Sequence, residues 1–230
     1  MKNILTGIVV VTSLVIVMRI LIVNVSNRGG EIPIIPAAEY SSAPISTPSN
    51  TQSEPTPVPT QKDGVISVPL DRPGERVIKK PFGIYIDPKT SPVKPEKFRG
   101  YHTGTDFETF PEESTADVSV RAVCPGTIVV KKRASGYGGV VVEQCIFNGQ
   151  QATVIYGHLA LRSVTIQSGD TIEQGSSIGL LGAGYSADTD GERKHLHLGI
   201  HKGTSIDIQG YVANKQELSR WIDPCTLLCQ

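Results

Sequence analysis

HLHLGI, residues 195–200, places two histidines one residue apart in an otherwise apolar stretch. In a strand, side chains at i and i+2 share a face, so His195 and His197 stand side by side. Alone, the pair also fits two partly buried histidines with hydrogen-bond partners. Its meaning depends on the other three of the chain's five histidines.

The surroundings read as a turn-rich β domain. VIKKPFGIYI (77–86), GTIVVKK (126–132), GGVVVEQ (138–144), QATVIYGHL (151–159) and HLHLGIHK (195–202) are short β-branched runs separated by Gly, Pro, Asp or Ser. SVTIQSGDTIEQGSSIGLLG (163–182) adds short strands around a Gly169-Asp170 turn, and ANKQELSRWI (213–222) reads as a short helix. The expected fold class is all-β.

YHTGTD, residues 101–106, puts His102 and Asp106 four apart, with Gly104 between them. Thr-Gly-Thr disfavours a helix, so a bent strand end or loop is expected. His158 closes the apolar run VIYGHLA. Four histidines thus occupy three strand-like segments. His201 falls on the same strand face as His197 and is read as a surface residue.

Neutral imidazole and carboxylate are ordinary zinc ligands, and a catalytic site uses three of them, keeping a fourth position for water or substrate. Bound zinc lowers the pKa of its water to about 7. Such a site also needs a base and a donor for the developing oxyanion, and histidine serves as either. Three ligands and two auxiliary histidines would account for His102, Asp106, His158, His195 and His197. Spacing alone does not assign the roles.

The four cysteines, Cys124, Cys145, Cys225 and Cys229, contain no Cys-x-x-Cys, which argues against a thiolate zinc site. If the 126–144 hairpin turns near Ala134 and Ser135, Cys124 falls opposite Cys145. A cross-strand disulfide then suits an oxidising compartment. Buried free thiols are the other reading.

Residues 3–23, NILTGIVVVTSLVIVMRILIV, are almost wholly apolar and long enough to cross a bilayer. No Ala-x-Ala type cleavage site follows. Residues 1–27 are therefore expected to form an uncleaved transmembrane signal-anchor holding a single-pass protein in the cell membrane. The folded domain would be extracytoplasmic, or secreted if the segment is cut. Residues 28–63 are rich in Pro, Ser and Thr, have no sustained apolar period, and read as a disordered linker. The folded domain is expected over 64–230. The chain has no net formal charge, which argues against a nucleic-acid partner.

The ordered series HTGTD, YGHLA, HLHLGI closely resembles the lysostaphin/LytM-type zinc peptidases, whose pattern is His-x-x-x-Asp, an isolated His, then His-x-His. FGIYIDP, PGTIVV, GYGGVVVE, residues 163–182 and the terminal WIDPCTLL match the family's usual surroundings, so the resemblance covers Val77 to Leu228. It implies that His102, Asp106 and His197 bind Zn2+, and that His158 and His195 are the unliganded catalytic pair. An antiparallel β core with an open active-site groove, and hydrolysis of peptide bonds in peptidoglycan stems or cross-bridges, are implied with them.

The chain departs from the family pattern twice. FETFPEESTADVSVR (107–121) is longer and more acidic than the usual turn, and is read as a surface insertion or a reshaped groove wall. GERK (191–194) replaces the usual Gly before the His-x-His pair. The expected function is a membrane-tethered zinc endopeptidase. The alternative is a non-catalytic module of the same fold that binds wall or activates another hydrolase. The oligomeric state is left open.

Overall fold

The computed structural model describes residues 66–147 and 149–230, so the expected signal-anchor, the linker and the first two residues of the expected domain lie outside the described part. Among the described residues no helix is long and apolar enough to cross a membrane.

Twelve strands dominate the described residues. They are β1 (Tyr85–Ile86), β2 (Gly100–His102), β3 (Gly104–Glu108), β4 (Ser119–Arg121), β5 (Gly126–Ala134), β6 (Gly138–Phe147), β7 (Gln150–Gly157), β8 (Thr171–Ile172), β9 (Ser177–Leu180), β10 (His195–Lys202), β11 (Tyr211–Val212) and β12 (Trp221–Ile222). The largest sheet runs β12-β10-β7-β6-β5-β8, with β3 also pairing β10, and every pairing is antiparallel. A smaller sheet, β1-β2-β11, carries His102. Helices are confined to single turns such as Pro73–Arg76 and Cys225–Leu228 and to short 3-10 segments. The fold is all-β, as expected.

Alternation along the central strands builds two apolar layers. Leu196, Leu198 and Ile200 of β10 join Val141, Val154, Tyr156 and Phe107 in the larger core. Val140, Val142 and Ile155 pack on the opposite face with Tyr137 and Trp221. Fully burying each such aliphatic side chain contributes about 1.5–3 kcal/mol. Because side-chain direction has period 2, these contacts fix the register, and a one-residue slip would exchange the faces.

Four expectations need correction. VIKKPFGIYI is a strand only at its last two residues, and the chain before them carries two buried basic side chains, Arg76 and Lys80, on acidic partners. The β5–β6 hairpin pairs Ala134 with Gly138, and a bulge between Ile128 and Val130 shifts its register. Cys145 therefore faces Gly126. Cys124, two residues earlier, still closes the disulfide to it, with Cα atoms 6.2 Å apart, and Cys225 bonds Cys229. His201 is buried against Trp221, their ring centroids 4.8 Å apart, because β12 covers that end of β10. Finally, the acidic stretch begins inside the sheet: Phe107 and Glu108 are buried residues of β3.

One core carboxyl has no counterpart in the sequence reading. Glu143 of β6 is wholly buried and accepts a 2.6 Å hydrogen bond from the Tyr156 hydroxyl, while its Oε1 has no hydrogen-bond partner. Burial pushes its pKa up to about 8, against the smaller opposing effect of the Tyr156 hydrogen bond. The folded chain keeps a proton that the unfolded chain loses near its ordinary value of 4.5. This group's contribution to stability therefore falls as pH rises between those values, by at most about 1.4 kcal/mol per pH unit, and levels off above. Glu143→Gln should remove that slope. Urea unfolding at pH 5 and pH 8 should show the variant gaining on the parent with rising pH; parallel behaviour would contradict a protonated Glu143.

Candidate active site

β10 is the centre of the site because its two neighbours present complementary side chains to it. Asp106 of β3 lies directly opposite His197, Glu108 opposite His195, and Gly157 of β7 flanks His197 on the other side. His102 arrives from the smaller sheet. The chain leaves that sheet at Thr103, whose N–H donates to the Gly210 carbonyl at 3.1 Å, and enters β3 at Gly104.

Three ligand atoms converge there. His102 Nε2 and His197 Nδ1 are 3.0 Å apart, and Asp106 Oδ1 lies 3.3 Å from the first and 3.1 Å from the second. All three residues are buried. Ligands placed tetrahedrally at about 2.0–2.1 Å from zinc are roughly 3.3 Å from one another, so the triangle has the size of one face of a zinc tetrahedron. Two imidazole nitrogens and a carboxylate oxygen sharing one point cannot all be satisfied by one proton, whereas a cation accepts all three lone pairs.

The outer hydrogen bonds agree with that assignment. His102 Nδ1 donates to the Pro81 carbonyl at 3.2 Å, leaving Nε2 as the inward lone pair. His197 Nε2 faces the Tyr137 hydroxyl at 3.3 Å, leaving Nδ1 inward. Such partners fix tautomer and ring orientation in metal sites. Burial, partly offset by the Asp106 hydrogen bond, pushes His197 down to about 4, so its ring is neutral at pH 7. Burial would raise the Asp106 carboxyl, but its contacts with the His195 and His102 rings hold it well below the usual range.

His158 and His195 stand beside this cluster, their ring centroids 4.2 Å apart. His195 Nδ1 donates to the Arg193 carbonyl at 2.8 Å and its Nε2 lies 3.2 Å from Asp106 Oδ2. His158 is different: its Nδ1 is buried without a hydrogen-bond partner, and burial together with His195 holds its pKa well below the ordinary value. Its backbone is left-handed, with φ +64. A non-glycine residue seldom adopts that conformation, which costs of order 1–3 kcal/mol where it persists. A pocket of about 310 Å³ opens over the group, lined by His158, His195, His197, Tyr137, Tyr211 and Glu192 among others. All five residues singled out in the sequence thus lie together.

Some members of the site escaped the sequence reading. Tyr211 lays its ring 5.3 Å from that of His102 and accepts a hydrogen bond from Lys80, which is itself ion-paired to Glu96 at 2.6 Å. Tyr137 stood in GYGGVVVE, where its neighbouring glycines read as a turn and hid the ring. Arg193 and Glu108 lay in the two departures from the family pattern.

An antiparallel sheet here gathers two histidines and an aspartate at the floor of a pocket, a donor set that could hold a metal ion, with two further histidines beside them. Residues 100–208 match the model of peptidase family M23, and over that stretch the chain carries a domain of that family. No curated protein matches the chain. Among solved structures, it aligns with CbpA from L. salivarius REN at 22% identity, over 73% of this chain and 95% of that one, with a TM-score of 0.47. The catalytic domain of lysostaphin from Staphylococcus simulans aligns at 22% identity, over 65% of this chain and 90% of that one, with a TM-score of 0.44. The SpoIIQ-SpoIIIAH pore-forming complex gives 20% identity, 73% and 92% coverage and a TM-score of 0.46.

Gly104 is required by the site itself. A Cβ there would meet His197 Nε2 at 2.7 Å and the Leu198 carbonyl oxygen at 2.5 Å. Gly104→Ala should displace the His197 ring and weaken zinc binding at least about tenfold, as for other losses of outer-shell support. Competition with a chromophoric chelator measures this; unchanged affinity would contradict the role given to that close approach.

Proposed function

We propose that this protein is a zinc metalloendopeptidase that hydrolyses peptide bonds in peptidoglycan stems or cross-bridges, tethered to the cell membrane through residues 1–27 with its domain outside. The observation that carries the reading is the convergence of His102 Nε2, Asp106 Oδ1 and His197 Nδ1 within 3.3 Å beneath a pocket that also holds His158 and His195.

Zinc bound by the three ligands would polarise a scissile carbonyl and bring a water's pKa to about 7. The chain supplies the rest. His158, neutral and with Nδ1 unpartnered, is the group suited to take the proton of the attacking water and pass it to the leaving amine. His195, anchored through Nδ1 on the Arg193 carbonyl, lines the pocket and is suited to turn its Nε2 from Asp106 toward a developing oxyanion. Tyr137 and Tyr211 line the pocket and give it two aromatic faces.

The roles separate by substitution. The full-length protein should clear purified peptidoglycan and stop on chelation, with activity restored by zinc. His197→Ala should lose both zinc and activity. His195→Ala and His158→Ala should retain zinc and lose turnover by about 10²–10⁴-fold, the usual share of general acid–base catalysis. Equal metal loss at positions 195 and 197 would defeat the assignment. A zinc-loaded chain that cleaves no wall peptide would establish the non-catalytic module instead.

A further inference from the structure

The two places where the sequence departs from the family pattern meet in space. Glu108, in the acidic stretch, and Arg193, in GERK, are 5% and 8% exposed and form a buried ion pair beside the ligand cluster. Arg193 Nε donates to both Glu108 oxygens at 2.9 Å, and Nη2 donates to Glu108 Oε1 and, at 2.8 Å, to Asp106 Oδ2. Glu108 is held in turn by Lys79 Nζ at 3.1 Å, and its carbonyl accepts from Arg76 Nη1 at 3.0 Å. The backbone of Arg193 takes part as well, since its carbonyl receives the His195 Nδ1 proton at 2.8 Å.

The two oxygens of Asp106 are therefore divided. Oδ1 faces His102 and His197, whereas Oδ2 is taken by Arg193 and faces His195. An arginine alone beside a cation site would repel the cation. Glu108 balances that charge while its fork-like contact fixes the guanidinium plane.

We propose that Arg193, locked by Glu108, is a positioning residue that holds Asp106 as a one-oxygen metal ligand and, through its carbonyl, sets the ring of His195. This rests on the metal site argued above. One residue thereby couples the orientation of a ligand to that of a catalytic histidine, a link drawn from the two segments that depart from the family pattern.

The test uses the full-length protein and the variants Arg193→Gln, Glu108→Gln and the double substitution. Zinc affinity is read by chelator competition, coordination by the visible absorption of the Co2+-substituted protein, and folding by thermal unfolding of the apo form. Each single variant should weaken zinc about 10–100-fold, the usual effect of losing an outer-shell partner, and shift the cobalt spectrum as Oδ2 is freed. The double variant leaves neither charge unpaired, so its loss should be smaller than the product of the single losses. If a single variant does not fold, the double variant decides, through a shifted cobalt spectrum. Affinities within twofold of the parent with an unchanged spectrum, or single losses that multiply, would overturn the proposal while leaving the zinc peptidase reading intact. A parent chain that binds no zinc would remove both.

Discussion

The pairing of β3 with β10 is the constraint from which the site follows. With Asp106 opposite His197 and Phe107 opposite Leu196, one face of the two strands is chemical and the other apolar. Displacing β3 by one residue would put Phe107 where Asp106 belongs and turn the carboxylate into the core. The energy that forbids this is the burial of Phe107, Leu196, Leu198 and Ile200, several kcal/mol in sum. The register of the candidate metal site is thus held by the hydrophobic core on its reverse side, while its polar contacts orient the individual side chains.

Those polar contacts would be a poor foundation by themselves. Removing charges from water costs several kcal/mol per ion, repaid only by close geometry and full hydrogen bonding. Here the buried charges are gathered in linked sets: Lys80 with Glu96 and Tyr211, Arg76 with Glu113, and Arg193 with Glu108 and Asp106. Each brings a cation from one segment against an acid from another, 16 residues apart in the first case and 85 in the Arg193–Glu108 pair. They stabilise by joining segments in one orientation more than by net energy. Glu143 takes the other route, remaining neutral through its proton where no cation was supplied for it.

The central strands were legible because period and composition agreed. β6, β7 and β10 are β-branched or Leu-rich, bounded by glycine, and buried throughout most of their length. The five site residues were legible because histidine and aspartate in that order serve few purposes together. The charged residues that escaped share a single cause: a charged residue in sequence reads as solvated unless its partner is known. Glu108, Arg193 and Lys80 find partners far along the chain, and no local pattern marks the pairing. The bulge near Val129 escaped for a related reason, since an extra residue in one strand changes register without changing alternation in either neighbour.

The division of labour proposed along β10 rests on how differently the neighbouring strand meets its two histidines. His195 and His197 share a face and a strand, yet the cross-strand partner of one is Glu108 and of the other Asp106. His197 is thereby directed by Asp106, Tyr137 and the open space at Gly104 toward the ligand cluster. His195, with the Arg193 carbonyl on one nitrogen, is turned toward His158 and the pocket. A ligand must keep its lone pair fixed on one point, whereas a proton donor must face the reacting group. Two adjacent positions of a strand meet both demands because the neighbouring strand differs at each, and a helix, which spaces its same-face residues along a single stripe, has no second backbone at that distance to make the distinction.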